Sequence, residues 1–228
     1  MTGSGEQFAH LSSGIDLCYE TFGDPSAPPI LLVMGLGGPM GWWSTDFCEQ
    51  LAERGHFVIR YDNRDTGRST KLREKVVSRG AVVRAFLGRG SAPYGIADLA
   101  EDAFGLLDEL NLSRAHLVGV SMGGMIVQTM AIARPERVSS LVSIMSTTGR
   151  RTVGWQNPKL YPGLLAGAGR TREEYIARAL KTAALIASPA FPTTPEASRR
   201  RAEETYDRGW IPSGVLRHML AVVTQPDR

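Results

Sequence analysis

The chain has 228 residues, of which 43% are hydrophobic and 21% charged, and a formal net charge of +3. That usage excludes disordered, collagen-like and coiled-coil chains, and the length suits one large domain or one domain with a small insertion. Two cysteines, Cys18 and Cys48, supply neither a disulfide framework nor a paired metal-ligand spacing, so both read as small buried thiols. The opening MTGSGEQFAH contains no apolar run of the export kind, which makes a reducing, cytoplasmic setting the default expectation. Residues 115–133 are long enough to be weighed as a membrane span. His116, Ser121, Gln128, Thr129 and three glycines interrupt them, so a buried strand turning into a buried helix is the better account. Residues 60–90 carry nine basic and three acidic side chains, and 149–228 carry thirteen and seven. The basic residues are dispersed, lack interleaved aromatics and match no nucleic-acid module, so they read as a solvated rim.

In chain order, Gln7–Leu11 and Ile15–Phe22 flank the turn signal Ser12-Ser13-Gly14 and predict a hairpin. Ile30–Met34 is a short continuous apolar run, as suits a strand covered on both faces, and it ends in Gly35-Leu36-Gly37-Gly38. A helix is predicted near Ser44–Arg54, with Phe47 and Leu51 on one face and Gly55 as its stop. Phe57–Ile59 predicts a buried strand that runs into a loop, RYDNRDTGRS. The basic stretch 76–87 has some character of a lipid-facing helix, but Gly80 and its shortness favour a helix beside a cap. Helical spacing of Leu99, Ala103, Leu106, Leu107 and Leu110 predicts the next helix, followed by a strand (Ala115–Val120), a helix (Met122–Ala133) and a strand (Val138–Met145). Beyond residue 150, proline- and glycine-rich stretches separate amphipathic pieces such as Arg172–Leu185 and Ser198–Tyr206, and no further strand is predicted. The alternation predicts an α/β fold: a doubly wound, mostly parallel sheet whose first six strands are present, with a helical cap segment. The division expected is a core over 1–148 and a cap over 149–228.

The chemistry concentrates in Gly119-Val120-Ser121-Met122-Gly123, between a predicted strand and a predicted helix. Such a G-x-S-x-G turn holds its serine in a strained conformation at the carboxyl end of the sheet, with glycines where a Cβ would crowd the crossing strand and helix. The helix N-terminus beside Ser121 favours negative charge. A serine nucleophile creates a tetrahedral oxyanion that needs preorganised donors. The glycine loop at 35–38 can bring the Leu36 amide alongside that of Met122. Trp42 and Trp43 follow that loop closely enough to line an acyl or alcohol pocket, although core packing is an equal reading for each.

These elements resemble the α/β-hydrolase superfamily over essentially the whole chain: the strand ending Leu32-Val33-Met34-Gly35, the RYDNRDTGRS loop, the elbow Gly119–Gly124, and Ala133–Val138 leading into the sixth strand. Met-Gly in place of the commoner His-Gly is similar to the branch that includes aclacinomycin methylesterases and related bacterial lipases and esterases. The resemblance implies Ser121 as catalytic nucleophile, Leu36 and Met122 as the oxyanion hole, and Gly35, Trp42 and Trp43 beside a small-molecule ester. It implies no metal and no organic cofactor.

The superfamily's Asp and His follow the seventh and eighth strands, and neither position has a counterpart here, so the chain looks truncated before the strand carrying the acid. Of the four histidines, His10, His56 and His116 precede the nucleophile. His218 follows it, with Asp207 as a conceivable partner, and reads better as a cap-helix histidine than as a base. Asp62 and Asp65 are expected to hold their loop by hydrogen bonds. A serine ester hydrolase is therefore expected. A non-catalytic binding module on the same fold is the alternative, in which a partner or a second copy covers the exposed sheet edge. Neither nucleic-acid binding nor stable membrane insertion is expected.

Overall fold

The computed structural model describes residues 3–150, 153, 169 and 171–228. Six strands form one sheet: β1 (Gln7–His10), β2 (Asp16–Phe22), β3 (Pro29–Val33), β4 (Phe57–Tyr61), β5 (Ala115–Val120) and β6 (Val138–Ile144), in the spatial order β1-β2-β4-β3-β5-β6. The two pairings involving β2 are antiparallel and the other three parallel. The parallel strands thus put the loops after β3, β4, β5 and β6 along one edge, where ligands bind in open sheets of this kind.

Seven described α-helices accompany the sheet: α1 (Thr45–Glu53), α2 (Arg79–Phe86), α3 (Ile96–Glu109), α4 (Met122–Ala133), α5 (Arg172–Ile186), α6 (Pro195–Asp207) and α7 (Pro212–Thr224). The starts of α1, α2, α5 and α6 are fixed by side chains of Ser44, Ser78, Thr171 and Thr194, each accepting a hydrogen bond from an amide of the first turn. Strand residues alternate between two apolar layers. Leu31, Val33, Ile59 and Leu117 pack with α3 and α4 on one face, and Ile30, Leu32 and Val58 pack with α1 on the other. α1 buries Cys48 and Ala52, while Phe47 is exposed and stacks on Trp43. Both cysteines are free and buried. β6 forms one edge of the sheet, with Leu141, Val142 and Ile144 exposed.

The RYDNRDTGRS segment is unusual for a loop, because Asp62, Asn63, Arg64, Asp65 and Thr66 are all buried. Polar groups out of water must find partners, and several of this loop's partners come from other parts of the chain. Asp65 accepts both guanidinium hydrogen bonds of Arg217 from α7 (2.6 and 2.7 Å), the Tyr94 hydroxyl (2.7 Å) and the Leu72 amide (2.9 Å). Burial alone would raise the Asp65 pKa, but these donors outweigh it and hold the carboxyl below its ordinary value. Arg217 and Asp65 are both fully shielded, so removing one partner strands a buried charge. Arg217→Met is expected to cost about 3–5 kcal/mol. Adding Asp65→Asn should recover part of that loss, as measured by urea unfolding in a double-mutant cycle.

Candidate active site

Ser121 sits between β5 and α4 at φ 55° and ψ −117°. A side chain in such a sparsely populated region costs about 1–3 kcal/mol and persists only when its surroundings enforce it. They do so through three hydrogen bonds: Ser121 N to the Ile144 carbonyl (2.9 Å), Met125 N to the Ser121 carbonyl (3.2 Å), and Ser146 Oγ to that same carbonyl (2.8 Å). The chain can fold this tightly because of its glycines. A Cβ on Gly119 would lie 2.3 Å from the Gly123 carbonyl oxygen, and one on Gly123 would lie 2.1 Å from the Val33 carbonyl oxygen. Helix and strands therefore touch backbone to backbone beneath the serine. Ser121 itself is half-buried, and among the described residues its hydroxyl makes no hydrogen bond. The Met122 amide opens α4, where N–H groups lack intrahelical partners and carry partial positive charge.

The glycine loop meets this elbow. A Cβ on Gly35 would stand 3.0 Å from the Val120 carbonyl oxygen, 3.1 Å from Ser121 Cβ and 3.7 Å from the Met122 nitrogen. Gly35, Ser121 and Met122 are thus brought together, with Leu36 next in the chain. Three side chains from elsewhere pin the loop. Asn63 Nδ2 donates to the Met34 carbonyl (3.0 Å), Asp62 Oδ1 accepts from the Met40 amide (2.7 Å), and His218 Nδ1 accepts from the Gly37 amide (3.2 Å). Asp62 Oδ2 also accepts from the Arg68 amide and from Arg208 at the end of α6. The two loop aspartates act structurally, as expected. The signal for their range lay in sequence positions far apart: Arg208 and Arg217 could not be paired with them from spacing.

None of the four histidines is bonded to Ser121. His10 pairs with Asp16 through exposed side chains, His116 with Ser140, and His56 lies edge-on to His116. His218 is fully buried, accepting from Gly37 at Nδ1, so its proton is on Nε2, which donates to the Arg64 carbonyl (2.9 Å). Asp207, its conceivable partner, is instead paired with Arg172. Burial pulls the His218 pKa down to about 4, against the hydrogen bond to Arg64 and the Asp65 charge, which favour the proton; Arg217 and Arg64 oppose it, and Tyr94 presents its ring edge. The unfolded chain then binds a proton below about pH 6.5 that the folded chain refuses until about pH 4. Stability should fall by about 3 kcal/mol as pH drops through that window. Urea unfolding at pH 7 and pH 4.5 checks this, and His218→Gln should flatten the difference.

Trp42 and Trp43 have different surroundings. Trp42 is partly exposed, and its Nε1 donates to Thr205 Oγ1 of α6 (2.9 Å). Trp43 is buried in the layer under α1, and among the described residues its Nε1 has no hydrogen-bond partner. A cavity of about 10 Å³, room for about one water, lies between the glycine loop and α6–α7 and is lined by Gly37, Thr66, Thr205, Trp210, Ile211 and Val215 among others. Thr66 Oγ1 is buried there without a partner among the described residues. α5 and α6 are clamped by Tyr175, Tyr206 and Trp210, whose ring centroids lie 4.5–5.8 Å apart. Among the described residues no His, Cys, Asp or Glu cluster is arranged to hold a metal, and no helix is long and apolar enough to cross a membrane.

A mostly parallel six-stranded sheet, a strained serine at a strand-to-helix crossover and a glycine loop against it define a class, and residues 28–209 match the alpha/beta hydrolase fold family. The chain belongs to that family. Among curated relatives it is 38% identical over 131 residues to rhodomycin D methylesterase DauP of Streptomyces sp. (strain C5), covering 58% of this chain and 39% of that protein. It is 37% identical over 128 residues to the putative carbamate hydrolase RutD of Variovorax paradoxus (strain S110), covering 56% and 41%. The matches thus span about two fifths of these relatives' length. Among solved structures, a hydrolase from Pseudomonas aeruginosa PA01 superposes with TM-score 0.66 at 24% identity, covering 96% of this chain and 73% of that one. An esterase (EaEST) from Exiguobacterium antarcticum gives 0.69 at 18%, covering 97% and 74%. These likenesses show the fold.

Proposed function

We propose that the chain carries the nucleophile and oxyanion site of a serine hydrolase acting on small carboxylic esters. The observation that carries this reading is the approach of Gly35 to within 3.0–3.7 Å, measured from its would-be Cβ, of the elbow atoms around Ser121. The methylesterase and carbamate-hydrolase relatives support a carbonyl substrate. Ser121 Oγ attacks the ester carbonyl carbon while its proton passes to a base. The carbonyl oxygen becomes an oxyanion held by the Leu36 and Met122 amides. Expulsion of the alcohol leaves an acyl-serine, which water hydrolyses. None of this needs a metal or organic cofactor. Gly35 and Trp42 bound the ester, with Trp43 packed behind them, residues 149–228 act as the cap over the 1–148 core, and the setting is cytoplasmic. None of the four histidines is bonded to Ser121 to serve as that base, and His218 is engaged at both ring nitrogens.

Incubation with a fluorophosphonate, read by intact mass, tests the reading. One adduct that disappears in Ser121→Ala is the expected result, and absence of any adduct overturns it. A second reading, a binding module without catalysis, is favoured by the full engagement of His218 and by the exposed β6 edge, where a second copy of the chain could pair. It predicts no adduct.

A further inference from the structure

The segment between β4 and α3 gathers exposed cations and exposed apolar side chains. Several other arginines are held in ion pairs: Arg60 with Glu20, Arg64 with Asp102, Arg134 with Glu101, Arg137 with Asp108, Arg172 with Asp207. Arg73, Lys75, Arg79, Arg84 and Arg89 are all exposed, and among the described residues none of their side chains enters an ion pair or hydrogen bond. Glu74 is the one acidic residue between Arg73 and Ala97 to offset them.

Apolar side chains stand among these cations. α2 buries Val82 and Ala85 against Met219 and Leu220 of α7, which accounts for one face of the helix. The other face is apolar too. Val83 and Phe86 are 46% and 47% exposed, and Leu87, just past the helix end, is 72% exposed. Val76, in the approach to α2, is 89% exposed. Positions 79, 83, 86 and 87 follow three- and four-residue spacing, so one arginine and three apolar groups share a stripe. Single exposed apolar residues are ordinary, but a contiguous set ringed by unpaired cations marks an interaction surface.

The chemistry of this surface selects its partner. Single-stranded nucleic acid calls for several stacking aromatics, and this patch has only Phe86. Protein interfaces deplete unpaired charge around an apolar centre. An anionic bilayer wants both halves at once: apolar groups at headgroup depth and arginines at the lipid phosphates. We propose that α2 and its flanks dock on an anionic lipid surface, with Val83, Phe86 and Leu87 seated at the headgroup boundary and Arg79, Arg84 and Arg89 on phosphates. The docking is peripheral, and it stands independently of the proposed ester hydrolysis.

Co-sedimentation of the full chain with vesicles of phosphatidylcholine containing 30% phosphatidylserine, against pure phosphatidylcholine, is the test. Binding to the anionic vesicles alone is expected, weakening as sodium chloride rises because the Debye length shrinks. Arg79→Gln/Arg84→Gln/Arg89→Gln should lower the partition coefficient about a hundredfold at low salt, at roughly fivefold per charge. Phe86→Ser/Leu87→Ser should lower it about tenfold or more without changing the salt slope, as loss of buried apolar area requires. These side chains are exposed, so melting temperatures should stay close to that of the parent, and the salt titration of the parent serves if a variant fails to fold. Equal sedimentation with both vesicle types, or with neither, overturns the proposal. So does a short single-stranded oligonucleotide that displaces the protein and depends on the arginines but not on Phe86 and Leu87.

Discussion

A Gly123→Ala variant is expected to unfold about 3–5 kcal/mol more easily than the parent, a loss that belongs with the largest effects of single substitutions. One methyl group is usually a minor change in a helix and even favours helical backbone. Here the added carbon would stand 2.1 Å from the Val33 carbonyl oxygen and 2.9 Å from that of Met34. Both are backbone atoms of the strand and loop that pack under the elbow, so no side chain can rotate away. Either α4 lifts from β3 or the elbow distorts. Urea denaturation measures the loss. A variant with parental stability would mean that α4 does not approach β3 this closely.

Gly35→Ala should act differently. Its Cβ would meet the Val120 carbonyl oxygen at 3.0 Å and Ser121 Cβ at 3.1 Å, contacts that a shift of a few tenths of an ångström relieves. That shift falls on the loop carrying the Leu36 amide, the proposed oxyanion donor, and such donors tolerate little displacement. Loss of one such donor costs about 10²–10³ in rate. Fluorophosphonate labelling of Gly35→Ala is therefore expected to slow by about a hundredfold while the melting temperature changes little. The contrast between the two glycines separates a residue that lets the fold close from one that lets the site work.

Much of this was legible in the sequence because it depends on local pattern. Ala115–Val120 and Met122–Ala133 are strand and helix with the bounds that their residues predict, since an apolar run broken by Gly-x-Ser-x-Gly leaves few alternatives. Ser44 and Gly55 likewise bracketed α1. Which residues it buries is not local information: Cys48 and Ala52 enter the core, while Phe47 stacks on Trp43 outside it. The RYDNRDTGRS stretch was legible as a loop but not as a buried one. Its charges survive out of water through Arg208 and Arg217, which lie 146 and 152 residues further along the chain, and no periodicity carries such a pairing. The same holds for His218. Its amphipathic surroundings gave a helix, whereas its grip on the Gly37 amide is a property of packing. The single legible hint was a lone arginine beside a histidine, Arg217-His218, within the otherwise apolar run Val215–Val223.

The central claim is that Ser121 faces two amides able to hold an oxyanion, and a crystal structure of the fluorophosphonate-treated chain tests it most directly. The account predicts a phosphorus bonded to Ser121 Oγ, with its free oxygen about 2.7–3.1 Å from both the Leu36 and the Met122 nitrogens. A phosphonyl group on another residue, or one on Ser121 with its oxygen turned to solvent, would contradict it.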